Sequence, residues 1–224
     1  MIKKKDRERK NGARLWISIG LLAAFSLWTV AICFVDVKSI GPNGSCVGFA
    51  TLNGFFHNLT GVRLWLYTVT DWLGLVPVGF CFGFALLGLI QWIRRRKLCK
   101  VDYNLFVLGG FYIVVFAAYL FFEAFPINYR PVLIDGYLEA SYPSSTTLLV
   151  LCVMPTSLMQ LGSRIKNAAL KKAVGVGITA FMLFMVVGRL LAGVHWFTDI
   201  VGGGTLSFAL VEAYRFFVNI KTRT

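Results

Sequence analysis

Charge is scarce in this chain, and negative charge is scarcest. Asp and Glu number 10 among 224 residues against 23 Lys and Arg, and charged residues make up only 15% of the total. A soluble domain carries about 25%, so too few charged groups are present to cover a water-facing globule. Cysteine is also sparse. Cys33, Cys46, Cys81, Cys99 and Cys152 include no CxxC spacing, which gives no support for a disulfide framework or a thiolate metal centre. Internal repeats, low-complexity tracts and linkers are absent as well, so residues 1–224 read as a single domain.

What fills the chain instead is apolar: hydrophobic residues reach 57%. A bilayer crossing needs about 20 such residues in a run, and runs of that kind lie at 15–35, 72–93, 103–122 and 140–163. A shorter run at 173–188 extends if Lys171 and Lys172 snorkel to the interface. Another run, 195–217, is interrupted by Glu212, with Arg215 one turn away. The expected fold class is all-α, a polytopic membrane protein with a single bundle of six transmembrane helices.

All but four of the 23 lysines and arginines fall in the segments before the first run, between runs two and three, between four and five, and after six. The positive-inside rule then makes both termini cytoplasmic, with a basic tail at 1–14. The apolar run behind that tail is long and lacks a small-residue cleavage site, so it reads as a retained anchor. The net charge of +13 belongs beside anionic lipid headgroups, and no nucleic-acid partner is expected. The outer connection, 36–71, mixes turn formers with Phe49, Phe55, Phe56 and His57 and is expected to lie along the outer interface.

The four cations left on the outer side are Lys38, Arg63, Arg130 and Arg189. Arg189 opens into GRLLAGVHWFTD, 188–199, which adds His195 and Asp199. Ionisable groups are costly near hydrocarbon and mark functional cavities. The i, i+4 spacing on a helix would let Asp199 hold one nitrogen of the His195 ring and leave the other free. Tyr142-Pro143-Ser144-Ser145-Thr146 has the chemistry of a helix N-terminus, Pro143 and the hydroxyl residues supplying the cap, and such an end attracts anions. Two arginines, an oriented imidazole and a helix N-terminus on one side describe a pocket for phosphate.

These residues resemble the type 2 phosphatidic acid phosphatase (PAP2) superfamily, the lipid phosphate phosphatases, in its membrane branch. Its motifs are KxxxxxxRP, PSGH and SRxxxxxHxxxD. The third is kept here in Arg189, His195 and Asp199 with Gly188 for the leading serine; the first keeps Arg130 and Pro131, and the second Pro143 and Ser144. The motif region covers roughly 123–199. The resemblance implies a cofactor-free and metal-independent reaction: His195 attacks phosphorus to form a phosphohistidine, Asp199 holds the ring, and Arg130, Arg189, Ser144, Ser145 and Thr146 surround the phosphate oxygens.

Two positions depart from the pattern. Glu123 stands where the first motif has lysine, and Thr146 where the second has the histidine that protonates the leaving group. An alkoxide leaving group has a pKa of roughly 15 to 16 and needs that proton. A phosphate group, with a second ionisation near about 6, leaves without it. The expected substrate is therefore a polyprenyl or lipid diphosphate, such as undecaprenyl diphosphate, hydrolysed on the extracytoplasmic side of the cell membrane. Glu123 repels a diphosphate unless it pairs with Arg130 or with a cationic headgroup. The alternative is a catalytically silent or headgroup-transferring relative that binds a lipid phosphate or phosphodiester. A small transporter is disfavoured because repeats and paired broken helices are missing.

Overall fold

The computed structural model describes residues 2–220; Lys221 and Arg223, counted above among the cytoplasmic cations, lie outside the described residues, as do the side chains of Lys3, Lys4, Lys5 and Arg7. Eight helices make up the described chain: α1 (Ile2–Phe34), α2 (Ala50–Thr60), α3 (Leu64–Leu73), α4 (Leu75–Arg95), α5 (Tyr103–Ala124), α6 (Ser145–Arg164), α7 (Ala168–Leu191) and α8 (Phe197–Val218). Among the described residues there is no strand, only isolated bridges such as Lys38 with Val47 and Tyr129 with Ala140.

Among the described residues, five stretches are long and apolar enough to cross a membrane: Glu8–Phe34, Leu64–Arg95, Tyr103–Ala124, Ser145–Arg164 and Ala168–Leu191. Their outward faces carry Trp16, Leu27, Phe82 and Ile113, each at least 70% exposed, which is a lipid-facing surface and not a water-facing one. The sixth expected run, α8, is 22 residues long but is not one of the five. Asp199, Glu212 and the glycines at 202–204 dilute its apolarity, and its position explains that composition. Helix α8 is the axis of the bundle, packed against α1, α6, α5 and α2, so most of its surface meets protein, with Phe208 and Phe217 left facing outward.

Small residues let the neighbours close on this axis. A Cβ on Gly202 would come within 2.4 Å of the Tyr142 ring, and one on Gly203 within 3.1 Å of the Ser144 carbonyl. Ser18 of α1 donates to the Ala209 carbonyl (2.9 Å) and Ser207 donates to that of Gly203 (2.6 Å). Near the opposite end, Gln160 on α6 donates to the Tyr214 hydroxyl (2.8 Å) and Arg164 donates to Gln160 (2.6 Å), so the buried polar groups at that end of α8 are also partnered.

The structure corrects one expectation about the segments around α3 and adds detail to another. The helix expected to begin at Trp72 begins at Leu64, because Gly74 keeps helical angles (φ −60°, ψ −18°) and joins α3 to α4. The connection before it forms α2 and packs on the start of α8. Asn53 of α2, fully buried, donates to the Gly48 carbonyl (2.8 Å) and the Thr198 hydroxyl (3.0 Å) and accepts from the Thr198 amide (3.1 Å). Phe56 stacks on Phe197 at 4.1 Å. Asp36 ties the base of this excursion, accepting from the Thr51 amide (2.7 Å) and pairing with Lys38 (2.8 Å). Those two partners hold its carboxyl down at about 2.

Candidate active site

The segment between α5 and α6 is a hairpin. Asp135 and Gly136 both take positive φ, +49° and +83°, the pattern of a tight two-residue turn for which Asp-Gly is a preferred sequence. The Ile134–Tyr137 and Tyr129–Ala140 bridges flank it, and the Arg130 amide donates to the Glu139 carbonyl (3.0 Å). This register puts Glu139 opposite Arg130, and the Arg130 Nε lies 3.0 Å from the Glu139 carboxylate. The acid on Arg130 is thus Glu139 and not Glu123. Glu123, at the end of α5, instead lines a cavity of about 240 Å³ together with Arg130, Glu139, Tyr119, Ser141 and Ser145.

His195 lies in the turn between α7 and α8. Helix α8 begins only at Phe197, so His195 and Asp199 do not stack on one helical face as their spacing suggests. They meet across the helix start. Asp199 is the third helical residue, and its Oδ2 accepts from the Trp196 amide (2.8 Å), a use of the carboxylate as an N-terminal cap. The same oxygen is 3.6 Å from His195 Nδ1. The nearer partner of Nδ1 is the Ser141 carbonyl at 3.2 Å. A carbonyl can only accept, so Nδ1 donates to it and Nε2 carries the lone pair. Ser141, a residue to which the sequence assigned no role, therefore joins Asp199 in setting the direction of the ring.

The ring is buried, 3% exposed, and its Nε2 has no partner. Burial first, then the charges of Arg130 and Arg189, hold the imidazole well below its ordinary 6.5, against the pull of the Ser141 carbonyl. A neutral imidazole with a free lone pair is a nucleophile.

Arg189, on the last turn of α7, is 1% exposed. Its Nη1 donates to the Thr70 hydroxyl (3.3 Å) and lies 3.6 Å from the Asp71 carboxylate. Its Nε and the Nη1 of Arg130 are buried and make no hydrogen bond. Such donors cost about 1–3 kcal/mol each when unsatisfied, which an anion between the two arginines would relieve.

At the start of α6 the hydroxyl residues divide. Ser144 is the cap: its Oγ accepts from the Thr147 amide (3.4 Å), and its own amide donates to the Asp199 carbonyl (3.1 Å). That second bond fastens the α6 start to the α8 start and so to His195. Ser145 lines the polar cavity and also a larger, mostly apolar one of about 540 Å³ between α4, α5 and α6; Thr146 lines only the apolar one. The His57 ring lies 5.5 Å from that of Trp196, and burial lowers its proton affinity.

The site thus gathers His195, Asp199, Arg130, Arg189 and the α6 start at one end of the bundle, with Glu123 lining the cavity beside Arg130. It also contains Glu139, an acid of the motif loop that the sequence places near a cation, and Ser141, Thr70 and Asp71, to which the sequence assigned no role. Asp135-Gly136 signals the hairpin that pairs 130 with 139. Asp71, an acid beside an apolar run, is the kind of residue that marks a functional cavity.

The sequence model of the PAP2 superfamily matches residues 101–222. No curated protein sequence matches the chain. Among solved structures, the fold is similar to the crystal structure of a transmembrane PAP2 type phosphatidylglycerolphosphate phosphatase from Bacillus subtilis, at 17% identity and a TM-score of 0.58, over 91% of this chain and 96% of that one.

Proposed function

This chain belongs to the PAP2 superfamily, and from that premise we propose that it is a lipid phosphatase of the extracytoplasmic face, hydrolysing a polyprenyl or other lipid diphosphate through a phosphohistidine on His195. The observation that carries the reading is the set of three buried, unpartnered atoms: one lone pair on His195 Nε2, and two donors on Arg130 Nη1 and Arg189 Nε. That set matches a nucleophile with two charge-assisted donors for the equatorial oxygens of a phosphoryl group.

In the first step Nε2 bonds to the terminal phosphorus and the P–O bond to the lipid monophosphate breaks. The released monophosphate has its second ionisation near about 6 and departs without a proton donor, which suits Thr146 at the position of the family's acid. The Ser141 carbonyl and the Asp199 carboxylate hold the Nδ1 proton while the ring becomes positive. In the second step water bonds to phosphorus, the P–N bond breaks, the neutral imidazole returns, and phosphate leaves carrying the water's oxygen and both its protons.

The same reading takes α8 as a sixth crossing, so that both termini are cytoplasmic, the site opens outward from the cell membrane, and residues 1–224 act as one domain. A hydrophilic maleimide that cannot cross the membrane tests this: a single cysteine at Asp135, at the hairpin tip, is labelled in intact cells, and one at Arg95 only after lysis. The reverse pattern refutes the orientation.

The acids around Arg130 favour a second reading. Glu123 and Glu139 share the cavity with one guanidinium, and Asp71 sits on the other, so the surroundings suit a zwitterionic phosphodiester headgroup with its ammonium on Glu123. Purified protein offered a lipid diphosphate, a phosphatidic acid and an ethanolamine phosphodiester separates the two. Phosphate release highest on the diphosphate, abolished by His195→Ala, supports the first reading. Cleavage of the phosphodiester, weakened by Glu123→Gln, supports the second. Turnover of none of the three leaves a silent binder and refutes both.

A further inference from the structure

We infer that Tyr67, on α3, is the positioning residue of the phosphate site: its ring is the shared platform that keeps the Arg130 and Arg189 guanidiniums side by side. The inference rests on reading those two arginines as phosphate ligands. The guanidinium carbons of Arg130 and Arg189 lie 5.7 and 5.0 Å from the centre of the Tyr67 ring, both within the roughly 6 Å at which the negative face of an arene attracts a cation.

The two cations need such a platform. They come from different elements, the hairpin and the end of α7, and both are nearly buried, where like charges repel strongly. Each also has one carboxylate, Glu139 and Asp71, but these are 40% and 58% exposed and face water that weakens them. The arene is fixed more firmly. Leu66 packs with Ile134, Ala192 and Val194, and Tyr67 packs against this cluster with Val132 and Leu191, which belong to the same two segments that carry the arginines.

Two further contacts pin α3 to this place. The Arg63 amide donates to the Ala192 carbonyl (3.0 Å). Gly193, at φ +70°, lets the Gly61 backbone come so close that a Cβ would sit 2.0 Å from its carbonyl oxygen. Tyr67, Thr70 and Asp71 are spaced for one face of α3, and all three address Arg189. Gly188, which replaces the family's serine, leaves the room for this: a Cβ there would be 2.9 Å from Thr70 Cγ2. The frame of the phosphate site therefore comes in part from residues 64–73, outside the 101–222 segment matched by the family's sequence model.

The test uses the full-length protein in detergent, with orthovanadate binding measured by calorimetry beside lipid diphosphate turnover. Tyr67→Leu removes the arene and weakens vanadate by about 10-fold or more, since one desolvated contact is worth up to a factor of about 30; the loss in kcat/KM falls mainly on KM. Tyr67→Phe recovers most of it. A series of phenylalanines with one, two and three ring fluorines at 67 keeps the shape and drains the face of electrons, so vanadate affinity falls stepwise along the series. A flat series, or Tyr67→Leu binding vanadate like the wild type, overturns the inference. Wild-type protein that binds vanadate but turns over no lipid phosphate refutes the functional reading alone, and wild-type protein that does not bind vanadate refutes both.

Discussion

Replacing Thr146 with histidine puts a proton donor at the position where the family carries one, and the two classes of substrate should respond unequally. Thr146 is in the first turn of α6, half-buried, and lines a cavity of about 540 Å³, so an imidazole has space. For a monoester such as phosphatidic acid the leaving alkoxide, with a pKa of roughly 15 to 16, gains from a general acid by about 10² to 10⁴ in rate. The positive end of the α6 dipole opposes the imidazolium by about 0.3–1 kcal/mol, which removes a factor of about 2 to 5. The remaining rise on the monoester is about 20- to 5,000-fold. For a diphosphate, whose leaving phosphate needs no proton, the change is less than about 3-fold. Initial rates of phosphate release from both substrates, measured on wild type and variant in the same detergent, give the comparison. Equal factors on the two substrates, or no change on the monoester, refute the leaving-group argument.

Restoring the family's serine with Gly188→Ser should reduce activity, since the new Cβ meets Thr70 Cγ2 at 2.9 Å and overpacking costs about 1–3 kcal/mol; Thr70→Ala added to it recovers the thermal midpoint, and the pair showing simple additivity refutes the contact. Asn53→Ala strips three hydrogen bonds from the α2–α8 junction and leaves the buried Thr198 amide unpartnered, for about 1–3 kcal/mol and a fall of several degrees in the midpoint; an unchanged midpoint counts against that junction. Nitrogen-15 NMR of the two histidines should find His195 neutral through pH 6.5 in the free protein, because burial and the two arginines lower its proton affinity. The sign follows: the unfolded chain takes up this proton first, so on this account stability falls as pH drops below about 6.5. A His195 midpoint at or above 6.5 refutes it.

Most helix positions, the membrane class and the superfamily were legible because each rests on local signals: run length, charge placement and fixed motif intervals. The same logic misled at His195, where an i, i+4 interval suggested a shared helical face and the chain instead starts a helix between the two residues. The partner of Arg130 was left open by the sequence. Glu123 is fixed by motif spacing, yet a hairpin register decides which carboxylate arrives, and that register brings Glu139. Helix α8 illustrates the opposite limit, since hydropathy records contact with lipid and an axial helix that mostly meets protein has little need of it.

By itself the sequence determined that this chain lives in a bilayer and that His195, Arg130 and Arg189 are costly polar groups out of place in hydrocarbon, because hydrophobic length and charge cost are properties of short segments. Only the tertiary structure decided what holds those groups: the Ser141 carbonyl on the imidazole, the Glu139 and Asp71 carboxylates on the cations, and the Tyr67 ring near both guanidiniums. Those contacts join residues as many as 122 positions apart, Tyr67 to Arg189. Directional partners at such separations are set by how helices pack, which short segments of sequence do not encode.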